Sequence, residues 1–356
     1  MSLATTCSGA ASWVRTLPVW VPTPFGTSSP PVDEPLPERP EPPIRIAISE
    51  CLLGREVRYD GRASRSSFPH SLLDGLFEYQ GICPEVGIGM SVPRRPIRLV
   101  ADRVEAVHEP AQDYAPALTD FGVSTARRIS DVAGYVFMKN SPSCGLYKVK
   151  VYPEDGGMPR RGGRGVHAAA VVEALPDLPV EENGRLNDPV LRENFVTRVF
   201  AFAHWHACFG TDYATSGRLS ASRLLAFHSR YKYLLMAHSV PHYQQTGRLL
   251  SALKGDLVAK AGEYRRALMA GLSKPASPGG HANVMSHLQG YLKKRIGAES
   301  RREIAELIAA YQRGEQPLMA PLALLGHHLR RYPDEYVLQQ TYLDPHPGFP
   351  GMRRWL

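Results

Sequence analysis

Three short apolar runs in the first half of the chain each lead into a chain-breaking loop, with helix-like stretches between them. IRIAIS (44–49) is β-rich and uninterrupted, the pattern of a strand buried in a parallel sheet. GICPEV (81–86) opens as a second short strand, and GYVFMK (134–139) is a third. Helical spacing is read in SLLDGLFEYQ (71–80) and over residues 113–130, where Ala, Leu, Phe and Val share a face. HAAAVVEAL (167–175) fits a helix or a strand. This alternation predicts an α/β domain with a mostly parallel sheet over residues 44–185.

From about residue 188 the texture becomes helical, predicting an all-α domain of five or six helices over 188–348. Asp188-Pro189 reads as an N-cap followed by proline at the first helical position. Ser220 is a second expected cap, and Pro241 opens a helix expected to run unbroken to about residue 272. A further helix is expected over HANVMSHLQGYLKKRIG. Ser300 and Glu303 have capping-box spacing, with Gly314 as the stop, and a last helix is expected over 318–331. Residues 1–43 hold 10 of the 31 prolines and no period, which predicts a disordered Pro-rich tail. Cys7 lies in it and is read as incidental.

No run of about 18 apolar residues exists, so no membrane span is expected. An apolar signal-peptide core is missing too. Five cysteines without dense spacing do not suggest a disulfide framework, and free thiols suit a reducing cytoplasm. The net charge of +8 is unevenly spread. Residues 1–189 carry 20 Lys+Arg against 23 Asp+Glu, and residues 190–356 carry 22 against 11, nets of −3 and +11. The second half therefore reads as a surface for nucleic acid or another anionic partner, or as a solvated helical face.

Cys51, Cys83 and Cys144 lie just past, or near, the ends of the three expected strands. Open α/β sheets bind ligands beyond the carboxyl ends of their strands, so the three thiols can converge. Three thiolates hold a zinc ion with a water, or an iron–sulfur cluster with one iron free of protein ligation, and spacing alone does not choose. Glu85, two residues past Cys83, is placed to move a proton. Ser141 and Ser143 flank Pro142, and either hydroxyl suits a substrate carbonyl or thiocarbonyl. Lys139, Arg58 and Arg94 are candidate grips for phosphate or an anionic intermediate, as are Arg95 and Arg98. Asp60 before Gly61 reads as a turn.

The strings ECLLGREVRYDG, CPEVGIGMSVPRRPIRLV and KNSPSCG together resemble the TudS-type thiouracil desulfidase family, over about residues 44–175. Residues 195–345 resemble the YbgA-type domain through AFHSRYKYLLMAHSVPHY, HANVMSHLQGYLKK and PLALLGHHLRRYPDEYVLQQTYL, with Val240 inserted before Pro241. The order of the two is similar to that of the RudS-type desulfidases.

The resemblance implies a [4Fe–4S] cluster held by Cys51, Cys83 and Cys144, whose open iron takes the sulfur of a thiocarbonyl. It further implies that Glu85 activates water, that Ser141 orients the base or assists proton transfer, and that sulfur is removed from 4-thiouridine in tRNA to give uridine. Phosphate contacts dominate affinity for nucleic acid, and the basic half carries candidates for them. These are Lys232, Lys293, Lys294 and Arg330, with Arg223, Arg230, Arg295 and Arg331. Tyr231, Tyr233 and Tyr291 interleave as possible stacking platforms. His281, His287, His327 and His328 read as helix histidines without a metal. Two other readings compete: a desulfidase of free thiouracil or thionucleosides, and a non-catalytic zinc-stabilised RNA-binding protein. Cys208 would be a fourth ligand in the latter, against its apolar helical setting.

Overall fold

A strand buried on both faces belongs in the middle of a sheet, and β1 (Ile44–Ser49) lies there, with Ile46, Ala47 and Ile48 fully buried. The computed structural model describes residues 35–64, 73, 75–107, 112–353 and 356. After β1 come β2 (Phe77–Ile82), the single turn α1 (Pro84–Gly87), β3 (Ile97–Val100), β4 (Arg103–Ala106) and α2 (Ala115–Arg128). Then follow β5 (Tyr135–Phe137), β6 (Val149–Tyr152), β7 (Arg160–Gly163), α3 (Val166–Ala174) and β8 (Val180–Glu182). One sheet runs β2–β1–β5–β8 with every pairing parallel. A second runs β4–β3–β6–β7, with β3 and β6 parallel and the two outer pairs antiparallel. The expected α/β region with a mostly parallel sheet is present, and residues 167–175 resolve as helix.

Two expectations here are corrected. The helix expected over 71–80 is not formed where it is described, since Phe77 begins β2 and pairs with Ile44 in a six-residue parallel ladder. Backbone pairing along β1 outweighs the local helical spacing; residues 71, 72 and 74 lie outside the described residues. The strand expected to open at Gly81 opens already at Phe77 and ends at Ile82, because Pro84 has no N–H to give a ladder and instead opens α1.

The helical region contains α4 (Pro189–Phe209), α5 (Ala221–His238), α6 (Val240–Ser251), α7 (Leu257–Leu272), α8 (Pro278–Tyr291), α9 (Ala298–Gln312), α10 (Met319–Arg331) and the single turn α11 (Glu335–Leu338). The two local caps form as read. Asp188 accepts from the amides of Val190 and Leu191, and Ser220 from that of Arg223. The single helix expected from Pro241 to residue 272 is two, because Gly255 turns the chain at φ 100° and Asp256 caps a new start on the Ala259 amide. The Ser300–Glu303 capping box is absent, since Gly297 occupies the N-cap and Ser300 lies inside the first turn. The helix α8 stops at Tyr291, short of Lys293. The described region thus has more long helices than the five or six expected. None of its helices is long and apolar enough to cross a membrane.

α4 joins the two halves. Its Phe195, Val196, Val199 and Phe200 pack with the β1, β2 and β5 residues in one core. Farther along, Trp205, Cys208 and Phe209 belong to the core of the helical region. The tail expected over 1–43 differs from that reading where it is described; residues 1–34 lie outside the described residues. Leu36 is buried in the helical core, and the Pro37 carbonyl accepts from Arg230 at 3.0 Å.

A polar centre lies under the helices. Glu193 accepts from Arg353 at 3.0 Å and from Thr197 at 3.3 Å, and Thr197 meets His346 at 2.7 Å. Burial alone would raise the Glu193 pKa, but the Arg353 guanidinium reverses this and holds it at about 2. Burial keeps His281 and His346 neutral, with pKa values pushed down to about 3. Groups with depressed folded values give stability that is lost as pH falls through the unfolded value towards the folded one. The two histidines therefore weaken the fold below pH 6.5, and Glu193 adds to this below about 4.5. Thermal melts taken from pH 7 to pH 4 are expected to show a falling Tm. Arg353→Met strands a buried carboxylate and is expected to cost about 3–5 kcal/mol in urea titration at pH 7.

Candidate functional site

The ends of β1 and β2 are level, because Ser49 pairs with Ile82. Cys51 follows in a 3-10 turn over Glu50–Leu53, closed by Gly54 at φ 88°. Cys83 is the N-cap residue of α1. The chain leaving β5 turns at Asn140, a non-glycine residue at φ 60°, and doubles back to Cys144. All three cysteines line one cavity of about 430 Å³. Ile82, Ile97 and Met138 give it apolar wall, and Arg58, Lys139 and Arg94 give it positive charge.

α3 holds the Cys144 loop in place. Its first amides donate to loop carbonyls: Val166 to Pro142 at 3.0 Å and Ala168 to Ser143 at 3.1 Å. Helix N-terminal amides have no partner inside the helix, so this satisfies both elements at once. The approach requires glycine at 165, where a Cβ would lie 2.5 Å from the Ser143 carbonyl carbon and 2.7 Å from the Cys144 nitrogen.

Glu85 sits on α1 with both oxygens engaged. Oε1 accepts from the Ser143 hydroxyl at 2.8 Å, and Oε2 accepts from Arg94 Nε at 2.7 Å and Nη2 at 2.5 Å. Arg94 also donates to the Val57 carbonyl at 3.0 Å, and that carbonyl lies 3.8 Å from Cys83 Sγ. With side-chain exposures of 5% for Arg94 and 13% for Glu85, the pair is shielded from solvent. Charge-assisted bonds in such a setting fix geometry well.

The two serines divide the roles. Ser143 is fully buried behind the wall and is the one bound to Glu85. Ser141 lines the cavity, and its oxygen accepts from the amides of Ser143 at 3.2 Å and Cys144 at 3.1 Å. Arg58 stays 3.5 Å from Asp60 at the cavity edge. Arg98 points elsewhere, to Glu105 at 2.8 Å.

All three thiols are free, and their environment resists ionisation without a cation. Burial and the neighbouring Cys83 push Cys51 up to about 11. Burial also raises Cys83, though the Val86 amide pulls the other way. Cys144 is raised well above its usual value by burial, then by Glu85 and Cys83. A soft cationic group fits such a donor set, because it would compensate three mutually repelling thiolates. Among the described residues no cluster of three or more His, Cys, Asp or Glu has its ligating atoms already gathered for a single metal ion. Cys208 takes no part, being fully buried in the helical core.

The basic candidates of the helical region separate into two groups. Arg223 is buried and donates to the Cys208 carbonyl at 3.1 Å, and Arg230 is half-buried against Pro37. These two are structural. Lys293, Lys294 and Arg330 are exposed. Lys232 lies 4.7 Å from the Tyr336 ring centroid and 5.0 Å from that of Tyr233. Tyr231 and Tyr233 are core residues, whereas Tyr291 is exposed. His281 is buried and meets the Tyr342 hydroxyl at 3.1 Å. Sequence reading missed Ser49, which accepts from the Met138 amide at 2.9 Å and bonds to the Cys144 thiol. Its place as the last residue of β1, just before a cysteine turn, was the available signal.

Two family models match separate parts of the chain. A family model described as 2-thiouracil desulfurase matches residues 46–183. A second, described as a protein of unknown function (DUF1722), matches residues 232–347. The uncharacterized protein YbgA of Escherichia coli (strain K12) is 38% identical over 137 residues, which are 38% of this chain and 81% of that protein. The chain belongs to the YbgA family. The DUF1722 match falls in the helical half, and the cysteine cavity lies in the half matched by the desulfurase model. A solved structure, the [4Fe-4S]-dependent thiouracil desulfidase TudS, aligns with 40% of this chain and 93% of its own at 24% identity, with a TM-score of 0.32. The desulfurase match supports a desulfidase role for this YbgA-family chain.

The loop geometry yields a direct test. Gly165→Ala forces the Cys144 loop outward, and overpacking of this kind costs about 1–3 kcal/mol. Alkylation of Cys144, followed by mass spectrometry, should quicken several-fold while Cys208 keeps its rate. An unchanged Cys144 rate would show that the loop is not held by α3.

Proposed function

We propose that this protein is a desulfidase that removes sulfur from 4-thiouridine in tRNA to leave uridine, using a [4Fe–4S] cluster held by Cys51, Cys83 and Cys144. The observation that carries the reading is the convergence of three free thiols and a clamped carboxylate on one cavity. A cluster bound there would supply a soft, cationic acceptor for a thiocarbonyl sulfur. The rest of the chemistry belongs to the chain. Apolar wall from Ile82, Ile97 and Met138 suits a pyrimidine ring. Ser141 offers its hydroxyl proton from the cavity wall to a ring carbonyl.

Glu85 receives the proton of the attacking water. Arg94 pins Oε2, which leaves Oε1, shared with the Ser143 hydroxyl, as the atom that takes the proton. Ser143 thereby serves as a positioning residue, and Ser141 as the substrate contact. In the net reaction the oxygen of water replaces sulfur at the ring carbon, and sulfide departs with both protons. No oxidant or reductant is consumed. Arg58 and Lys139 face the cavity with charge that suits an anionic intermediate.

The tRNA part of the reading is supported by the +11 balance of residues 190–356 and by the group of Lys232, Tyr291 and Tyr336 beside Lys293 and Lys294. A base must leave its stack to enter a cavity of this size.

The test is anaerobic reconstitution with iron and sulfide, followed by incubation with thiolated tRNA and near-ultraviolet recording of 4-thiouridine. Absorbance is expected to fall only with the cluster present, and Cys51→Ala is expected to abolish both cluster and loss. Glu85→Gln should keep the cluster but lower kcat by about 10²–10⁴-fold. Loss from free thiouracil with none from tRNA would move the function to small thiobases. Zinc in place of a cluster, with no loss from either, would overturn it.

A further inference from the structure

Residues 1–189 carry a net charge of −3, yet one row across the second sheet is basic. β4, β3, β6 and β7 place Glu105, Arg98, Lys150 and Arg161 side by side. Arg98 pairs with Glu105, and Lys150 is opposite Arg161. Lys150 comes next to Arg98, one residue before the Leu99–Val151 match. The row thus reads one negative charge, then three positive. Glu105 satisfies only Arg98, at 2.8 Å. Among the described residues Lys150 and Arg161 have no ion-pair partner, unlike Arg103, which meets Glu154 at 3.3 Å.

Like charges directly opposed on neighbouring strands destabilise a sheet. The arrangement therefore carries a repulsion that a bound anion would relieve. Lys148 adds a third unpaired cation, held at φ 55°, where a glycine would be at ease and a lysine is not. Arg98, Lys148, Lys150, Arg161 and Tyr152 line a cavity of about 430 Å³. That cavity shares Ile97, Asn140 and Pro142 with the cysteine cavity. The two are adjoining compartments separated by the loop that carries Ser141.

We infer that this row is a phosphate site, which holds the backbone of a ribonucleotide strand next to the nucleotide whose base occupies the cysteine cavity. The inference rests on the thiobase reading for what fills the neighbouring cavity, while the phosphate site stands on its own charges. It places part of the polynucleotide grip on the half of the chain with negative net charge.

The test uses the full chain and labelled, sulfur-free hexauridylate, followed by fluorescence anisotropy across a salt series. The variant Lys148→Ala/Lys150→Ala/Arg161→Ala is expected to bind at least ten-fold more weakly. Its log–log salt slope should be shallower by about 2, since each contact to a single strand contributes about 0.7. A charge-matched control, Arg45→Ala/Arg103→Ala/Arg127→Ala, should stay within two-fold of wild type. Lys148→Gly relieves backbone strain, so it should melt no lower than wild type and still bind more weakly. Equal losses in the triple variant and the control, or no loss in either, would overturn the site. Free 4-thiouracil is assayed separately. If wild type fails to process it and thiolated tRNA, while hexauridylate still depends on the row, the desulfidase reading falls and the phosphate site remains. Competition by uridine 5′-monophosphate at hexamer-like concentrations would assign the site to a single nucleotide phosphate; a much weaker effect would assign it to a strand.

Discussion

Parallel pairing of β2, β1 and β5 is the constraint on which the site depends. Parallel strands finish on the same side of a sheet, so residues far apart in sequence emerge together. The ladder from Ile44–Phe77 to Ser49–Ile82 brings Cys51 and Cys83 to one level. The third cysteine needs more, because β5 is only three residues long and Cys144 lies well beyond it. α3 supplies what is missing by donating its first amides to the loop. Two of the cysteines are thus placed by backbone pairing and the third by a helix end.

Charge is organised locally, and the net charge of each half conceals this. Beside the cysteines a guanidinium and a carboxylate are matched atom for atom, with a buried hydroxyl on the remaining oxygen. That closed set fixes geometry and leaves little charge over. One strand layer away, the Lys150–Arg161 pair is unmatched. A surface that recognises anions has to leave some charge uncompensated, whereas a carboxylate that moves protons needs a fixed position; the chain sets an unmatched Lys150–Arg161 pair and a clamped Glu85 beside adjoining cavities.

The legible features of the sequence were those set by local chemistry. A run with no polar break announced β1, and Asp188-Pro189 and Ser220 announced their helix starts. The three cysteines were legible because glycine and proline neighbours marked them as loop residues. What escaped was set by partners distant in sequence. Residues 77–80 carry the helical spacing read over 71–80, yet they form β2 because β1 offers a ladder. The break between α6 and α7 turns on one glycine with positive φ, which no apolar period reports. The tie between Glu85 and Ser143 spans two elements, so sequence reading could not tell which serine would reach the carboxylate. The basic row was hidden for the same reason: Arg98, Lys150 and Arg161 are neighbours only through strand register.

α4 has a consequence for anyone who wishes to divide this chain. Its first turns bury Phe195 and Val199 against the parallel sheet, and its last turns bury Trp205 and Phe209 among the other helices. A cut at residue 188 would strip the sheet of an apolar cover and leave the excised helices with a greasy face that belongs to the lost half. Fragments made at that boundary should be sticky and poorly behaved for reasons unrelated to iron, sulfur or RNA. A cleaner dissection would carry α4 with the sheet and replace its distal aromatic face with polar residues.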